Sequence, residues 1–313
     1  MRRMIRLAAL GAFAACAACA VAVHAAEAPD LKSAAVLILD EETGEVLYNK
    51  NAGAVVPIAS ITKLMTAMVV LDAALPLQEE IQITQDDVAM TRGARVKTGL
   101  GRGMTLTRDD LLRLALMASE NRAAVALGRT YPGGLDAFVQ AMNEKAAMLE
   151  MYETRFVEPT GLASANVSSA GDLAKLVVAA KGYPLISEYS TAPSATVRLG
   201  KRNTTFVNTN GLVRSSSWEI GLSKTGFINE AGRCLVMQAR MAARSVIIVL
   251  LDSVGKYTRI GDANRIRQWL ESGQVVPVSM ARAVAPSKHS RPKPKQPAAG
   301  TRVRVEFKPP ASG

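Results

Sequence analysis

The chain has 313 residues, 49% of them hydrophobic, with 38 Lys and Arg against 27 Asp and Glu. That is enough chain for one large domain or two modest ones, and too apolar for wholesale disorder. Its two histidines, His24 and His289, lie in an N-terminal apolar segment and a Pro/Lys-rich tail, which excludes Ser-His-Asp and Cys-His catalysis and every His-ligated metal site.

Arg2, Arg3 and Arg6 precede an uncharged, Ala-rich run over residues 7–23 that leads into Val23-His24-Ala25. A basic start, an apolar stretch and small residues form a cleavable secretory signal over residues 1–25. An uncleaved anchor is the competing reading, and these weakly hydrophobic residues are marginal for spanning a bilayer. Cys16 and Cys19 leave with the signal, so Cys234 remains as a lone thiol, in a context that reads as a buried strand. The mature protein is therefore expected to be soluble and periplasmic, and a monomer.

Residues 34–40 and 45–48 flank Glu42-Thr43-Gly44, which predicts a β-hairpin. Residues 60–74 lack Gly and Pro and place Leu64, Met68 and Leu71 at helical spacing. Residues 78–106 are mixed, with turns at Gly93, Gly99, Gly101 and Gly103; this glycine run lacks the strand–turn–helix setting of a nucleotide loop. Thr107 with Asp110, and Ser169 with Asp172, open helices as capping pairs. Leu135, Phe138, Val139, Met142, Ala146 and Leu149 fit one helical face between them. After a turn-rich stretch, residues 222–225, 234–240 and 246–251 read as strands, the last two continuously apolar as in mid-sheet. A helix over residues 257–270 closes the folded part.

This order predicts an α+β domain over residues 26–273, an antiparallel sheet from N- and C-terminal segments with a helical region inserted between them. Residues 274–313 carry eight Lys and Arg against Glu306 alone, and seven of the 14 prolines. They read as an extended, solvated basic arm with a net charge of +7. Removing this +7 and the signal's +3 from the total of +11 leaves the folded part near neutral, at +1. Export argues against nucleic acid as the arm's partner and in favour of anionic envelope material, with an inert solubilising tail as the alternative.

Three short motifs carry chemistry. In Ser60-Ile61-Thr62-Lys63, Lys63 lies about one helical turn beyond Ser60 on the same face. Burial favours the neutral amine, which can take the Ser60 proton, while a helix start offers N–H groups to an oxyanion. Helix capping explains a lone Ser in this position equally well. Ser119-Glu120-Asn121 falls at an elbow between two apolar runs, where Ser and Asn share protons with a base and hold an amide, or simply satisfy a loop. Lys224-Thr225-Gly226, on a predicted strand, binds a carboxylate while Gly admits a ligand backbone, or is an ordinary strand end. Together, separated by 59 and 105 residues, they match the Ser-x-x-Lys, Ser-Asp-Asn and Lys-Thr-Gly set of penicillin-binding proteins and class A β-lactamases.

SITKLMTAMVVLDA, LMASENRAA, RFVEPTGL and LSKTGFINEAGRCLVM resemble the D-alanyl-D-alanine endopeptidases of the penicillin-binding protein 7 type, relatives of the low-molecular-mass D-alanyl-D-alanine carboxypeptidases. The resemblance spans residues 30–275. It implies a β-lactamase/transpeptidase-like fold and a serine D,D-peptidase acting on D-Ala–diaminopimelate cross-links of peptidoglycan, inhibited by β-lactams, with no cofactor and no metal. It further implies Ser60 as acylated nucleophile, Lys63 as base, and Ser119 with Asn121 as proton-relay and positioning pair. Lys224, Thr225 and Gly226 would form the carboxylate-binding strand, and the N–H groups of Ser60 and Phe227 the oxyanion hole. Glu120 stands where the carboxypeptidases usually have Gly, and Phe227-Ile228 where they have His-Thr. Glu158 reads as a loop glutamate, since the Glu-x-x-Leu-Asn of class A β-lactamases is not matched. The competing functions are a D,D-carboxypeptidase, then a β-lactamase, then a non-catalytic penicillin-fold binding module.

Overall fold

A computed structural model describes residues 28–92 and 99–272. The signal at 1–25 and the arm at 274–313 lie outside the described residues. Strands β1 (Ser33–Asp40) and β2 (Val46–Lys50) form the expected hairpin. After the short strand β3 (Val56–Pro57), a 3-10 turn at Ala59–Ile61 leads into α1 (Thr62–Asp72). There follow β4 (Glu80–Gln82), α2 (Gln85–Met90), β5 (Thr105–Thr107), α3 (Arg108–Met117), α4 (Asn121–Arg129) and α5 (Gly134–Met148). Next come β6 (Val167–Ser168), α6 (Ala170–Lys181), α7 (Pro184–Thr191), β7 (Ser194–Leu199) and β8 (Arg202–Val207). The long strands β9 (Glu219–Ile228), β10 (Gly232–Met241) and β11 (Arg244–Ser253) precede α8 (Thr258–Glu271).

The main sheet runs β2-β1-β11-β10-β9, with every neighbour antiparallel. The first and last strands meet in the sheet, where β1 pairs with β11, and the helical region fills the span between β2 and β9. This is the predicted α+β plan. Strand alternation divides the sheet's apolar residues between two cores. Leu37, Cys234, Val236 and Val249 pack with α1 and the other helices of the inserted region. Val36, Ile38, Met237 and Ile248 pack under α8 through Ile266 and Trp269. Helix α1 is buried from Thr62 to Val70, its polar Thr62, Lys63 and Thr66 included, each hydrogen-bonded.

Two stretches are more regular than their sequence indicates. The turn-rich 182–221 stretch contains α7, whose Pro184 occupies the first turn where its missing N–H costs nothing. It also contains the β7–β8 hairpin, whose RNTTFV strand is largely polar and lacks a clean apolar alternation. The mixed 78–106 region forms a β4–β5 ribbon and α2, opened by a Thr84–Asp87 capping box. Capping at Thr107 and Ser169 is present as expected, each hydroxyl accepting from the N–H three residues on.

Candidate active site

Ser60 is not a helix cap. It lies inside the 3-10 turn, and the residue preceding α1 is Ile61, which makes no side-chain cap. Its hydroxyl instead accepts a hydrogen bond from Lys63 Nζ at 2.9 Å. The same ammonium donates to Asn121 Oδ1 at 2.7 Å and to the Thr160 carbonyl at 2.6 Å. Lys63 is fully buried. Burial pulls its pKa down to about 8, against the opposing pull of Glu158 and Glu120.

Backbone strain and glycine shape this turn. Ala59, which precedes Ser60, has φ 48°, in the left-handed region that a side chain disfavours. Two glycines hold it in place. A Cβ on Gly161 would lie 1.8 Å from Ala59 O, and one on Gly226 would lie 2.9 Å from Ile58 O and 3.1 Å from Ser60 N. The Ser60 amide therefore sits between the 158–161 loop and strand β9, closer than any side chain allows. Glu158 organises that loop, accepting from Thr160 N, Thr160 Oγ1 and Gly161 N at 2.6 Å each. It is a loop glutamate, as its sequence context implied.

Ser119-Glu120-Asn121 forms the elbow between α3 and α4, with Ser119 at φ 58°. The structure pairs Asn121 with Lys63 and Ser119 with Lys224, whose Nζ donates to Ser119 Oγ at 2.9 Å and to Thr225 O at 2.9 Å. Lys224 is buried, and burial first, then the Lys63 and Arg259 charges, hold its pKa well below the usual lysine value. Glu120 is also buried. Burial pushes its carboxyl up to about 7, while Lys63 and Arg122 pull it down.

Ser60, Ser119, Asn121, Thr225, Gly226 and Phe227 all line one cavity of about 650 Å³, while Lys63 and Lys224 lie beneath it. Strand β9 is the free edge of the sheet at this wall. Three further residues complete the site: Thr160, inside the RFVEPTGL segment but given no role by it, and Thr209 and Arg259, which carry no sequence signal. The Thr160 carbonyl is a ligand of Lys63, Thr209 Oγ1 accepts from Thr225 Oγ1 at 2.7 Å, and Arg259 reaches the cavity from α8. Arg259 Nη1 donates to the carbonyls of Gly226 at 2.9 Å and Cys234 at 3.1 Å. Neighbouring loops and α8 supply them, so spacing along the chain carries no trace of Thr209 and Arg259, and RFVEPTGL does not show that its Thr160 carbonyl meets Lys63.

Residues 22–255 match the peptidase S11 family, described as D-alanyl-D-alanine carboxypeptidase. The chain belongs to this family. It is 52% identical over 256 residues to a D-alanyl-D-alanine endopeptidase of Pseudomonas aeruginosa, covering 80% of this chain and 81% of that one. A D-alanyl-D-alanine endopeptidase of Escherichia coli is 47% identical over 258 residues, covering 82% and 83%. Among solved structures, the Streptomyces K15 DD-transpeptidase superposes with a TM-score of 0.73 at 28% identity, covering 79% of this chain and 99% of that one. A D-alanyl-D-alanine carboxypeptidase from Mycobacterium tuberculosis superposes with a TM-score of 0.71 at 27% identity, covering 79% and 93%. The fold is thus the penicillin-binding one, and the protein is a serine hydrolase of the D,D-peptidase type.

Proposed function

We propose that this enzyme hydrolyses D-Ala–diaminopimelate cross-links of peptidoglycan through an acyl-enzyme on Ser60. The observation that carries the reading is the Lys63 Nζ–Ser60 Oγ contact at 2.9 Å, in a buried pocket that also holds Asn121. In the neutral form Lys63 takes the Ser60 proton as Oγ attacks the carbonyl of a D-Ala. The N–H groups of Ser60 and Phe227 receive the developing oxyanion. Ser119, joined to Lys224, passes its proton to the departing amine and recovers one from the Lys63 ammonium, which returns Lys63 to the neutral form, and Asn121 orients the substrate amide. Lys224 and Thr225, with Arg259 behind them, bind the carboxylate of the leaving residue. Water then attacks the ester, with Lys63 again as base, and frees the enzyme.

Names of the two similar endopeptidases support cross-links over terminal D-Ala as substrate. A carboxypeptidase would attack the same carbonyl with the same residues, so the leaving group decides. The basic, apolar N-terminus supports export to the periplasm, where this substrate lies, and no helix among the described residues is long and apolar enough to cross a membrane. Purified muropeptides digested with the enzyme and resolved by mass test the reading. Dimers should become monomers faster than monomeric pentapeptides lose D-Ala; dominant D-Ala release with persistent dimers would make it a carboxypeptidase. Penicillin should leave one adduct per chain, absent in Ser60→Ala; an unmodified wild type would favour a binding module.

A further inference from the structure

Phe227 contributes a side-chain contact as well as its backbone N–H. The Arg233 guanidinium lies over its ring, 4.6 Å from the centroid. The two residues are directly opposite in the β9–β10 ladder, so their side chains share a face of the sheet. Both line the cavity. Thr225 lies on this same face two residues earlier, which places the Phe227–Arg233 pair about 7 Å beyond it along the strand. Arg259 is tied by Nη1 to two main-chain carbonyls. The Arg233 guanidinium, by contrast, forms no ion pair and no hydrogen bond among the described residues, and its contact is with the Phe227 ring. Glu230 also reaches the cavity rim, but it forms no ion pair with Arg233. A guanidinium held over an aromatic ring loses little further freedom on binding, and its N–H groups remain available to a carboxylate.

We propose that Arg233, held on Phe227, is a specificity-determining residue that binds a second carboxylate on the leaving-group side of a cross-linked substrate. The inference rests on the peptidase reading above. A free D-Ala leaving group brings one carboxylate, which Lys224 and Thr225 receive. A neighbouring stem peptide brings that carboxylate and at least one more beyond it. The additional anion on the substrate meets Arg233, beyond Thr225 on the same strand face, and terminal D-Ala has nothing to place there.

The full chain should be assayed with three probes: cross-linked dimeric muropeptide, monomeric pentapeptide and penicillin. Arg233→Met keeps bulk on the ring and removes the charge. It should lower kcat/KM on dimers roughly tenfold, as loss of a charge-assisted hydrogen bond does, while pentapeptide turnover and penicillin acylation stay within about twofold. Arg233→Lys should recover part of the loss, because a point charge replaces the planar fork. A dimer whose leaving-stem carboxylates are amidated except the one on the leaving residue itself should be a comparably poor substrate for wild type, and Arg233→Met should not worsen it further. Equal losses on all three probes would make Arg233 structural and overturn the inference, as would undiminished dimer turnover by Arg233→Met. Wild-type cleavage of dimers with an indifferent Arg233→Met removes this inference alone; intact dimers with wild type remove the cross-link reading as well.

Discussion

Lys63 Nζ has three acceptors within 2.9 Å and no exposure to solvent. The acceptors favour an ammonium and burial favours an amine, and burial wins enough to bring the pKa to about 8. A lysine base works only when neutral, so penicillin acylation should rise with pH through about 8 and fall below it. Lys63→Arg should be nearly inert at every pH, since guanidinium does not deprotonate in a protein; stopped-flow acylation rates check both. Glu120 raises the Lys63 pKa through its charge. Glu120→Gln should therefore move the acylation midpoint to lower pH, and an unmoved midpoint would show that the two groups are not coupled. Gly161 has φ +80° and no room for a Cβ. Gly161→Ala should lower stability by about 2 kcal/mol or more and slow acylation, because the Ala59–Ser60 turn must shift. Urea unfolding with acylation kinetics measures the two effects. The Ser60–Lys63 spacing was legible in the sequence. Capping was the competing explanation for Ser60, and the 3-10 turn removes it.

Between elements, one buried carboxylate joins the two ends of the domain. Asp262 of α8 accepts from Lys32 N at 3.0 Å, and from Ser33 N at 2.7 Å and Ser33 Oγ at 2.6 Å on β1. Burial pushes the Asp262 pKa up, but these N–H and O–H donors and Arg265 outweigh it and hold the carboxyl below its usual value. A depressed carboxylate stabilises the fold above its unfolded pKa, and the contribution disappears as pH falls through the folded one. Asp262→Asn should therefore cost about 1–3 kcal/mol at neutral pH and flatten the acid arm of the stability profile, seen by thermal melts from pH 7 downward. The capping pairs at Thr107 and Ser169 and the apolar β10 and β11 could be read directly, since both signals are local. Helix α7 and the β7–β8 hairpin could not: Ala195, Val197 and Leu199 alternate along β7 and pack on the helical core, but β8 adds only Phe206 to that core and is otherwise polar, paired across through contacts such as Thr196–Thr205, so the two-strand pattern is incomplete.

At the scale of the whole molecule, most of the net charge falls on residues 274–313, outside the described part of the chain. Deleting residues 274–313, with their net +7, should leave turnover of small soluble substrates unchanged, because every catalytic-motif residue lies upstream. Sedimentation with isolated sacculi should show weaker binding, most clearly at low salt where screening is least; salt-independent binding would reduce the arm to a spacer. The sequence by itself determined the absence of imidazole chemistry, the α+β order of elements and the three motifs that carry the resemblance, because each depends on residue type and short spacing. Only the tertiary structure decided which partners meet. It joined Asn121 to Lys63 and Ser119 to Lys224, threaded Gly161 and Gly226 against the Ser60 turn, and brought Arg259 and Arg233 to one wall. Those contacts arise because β1 pairs with β11 and the inserted helices fold back onto one sheet edge, a closure between distant segments that no local pattern encodes.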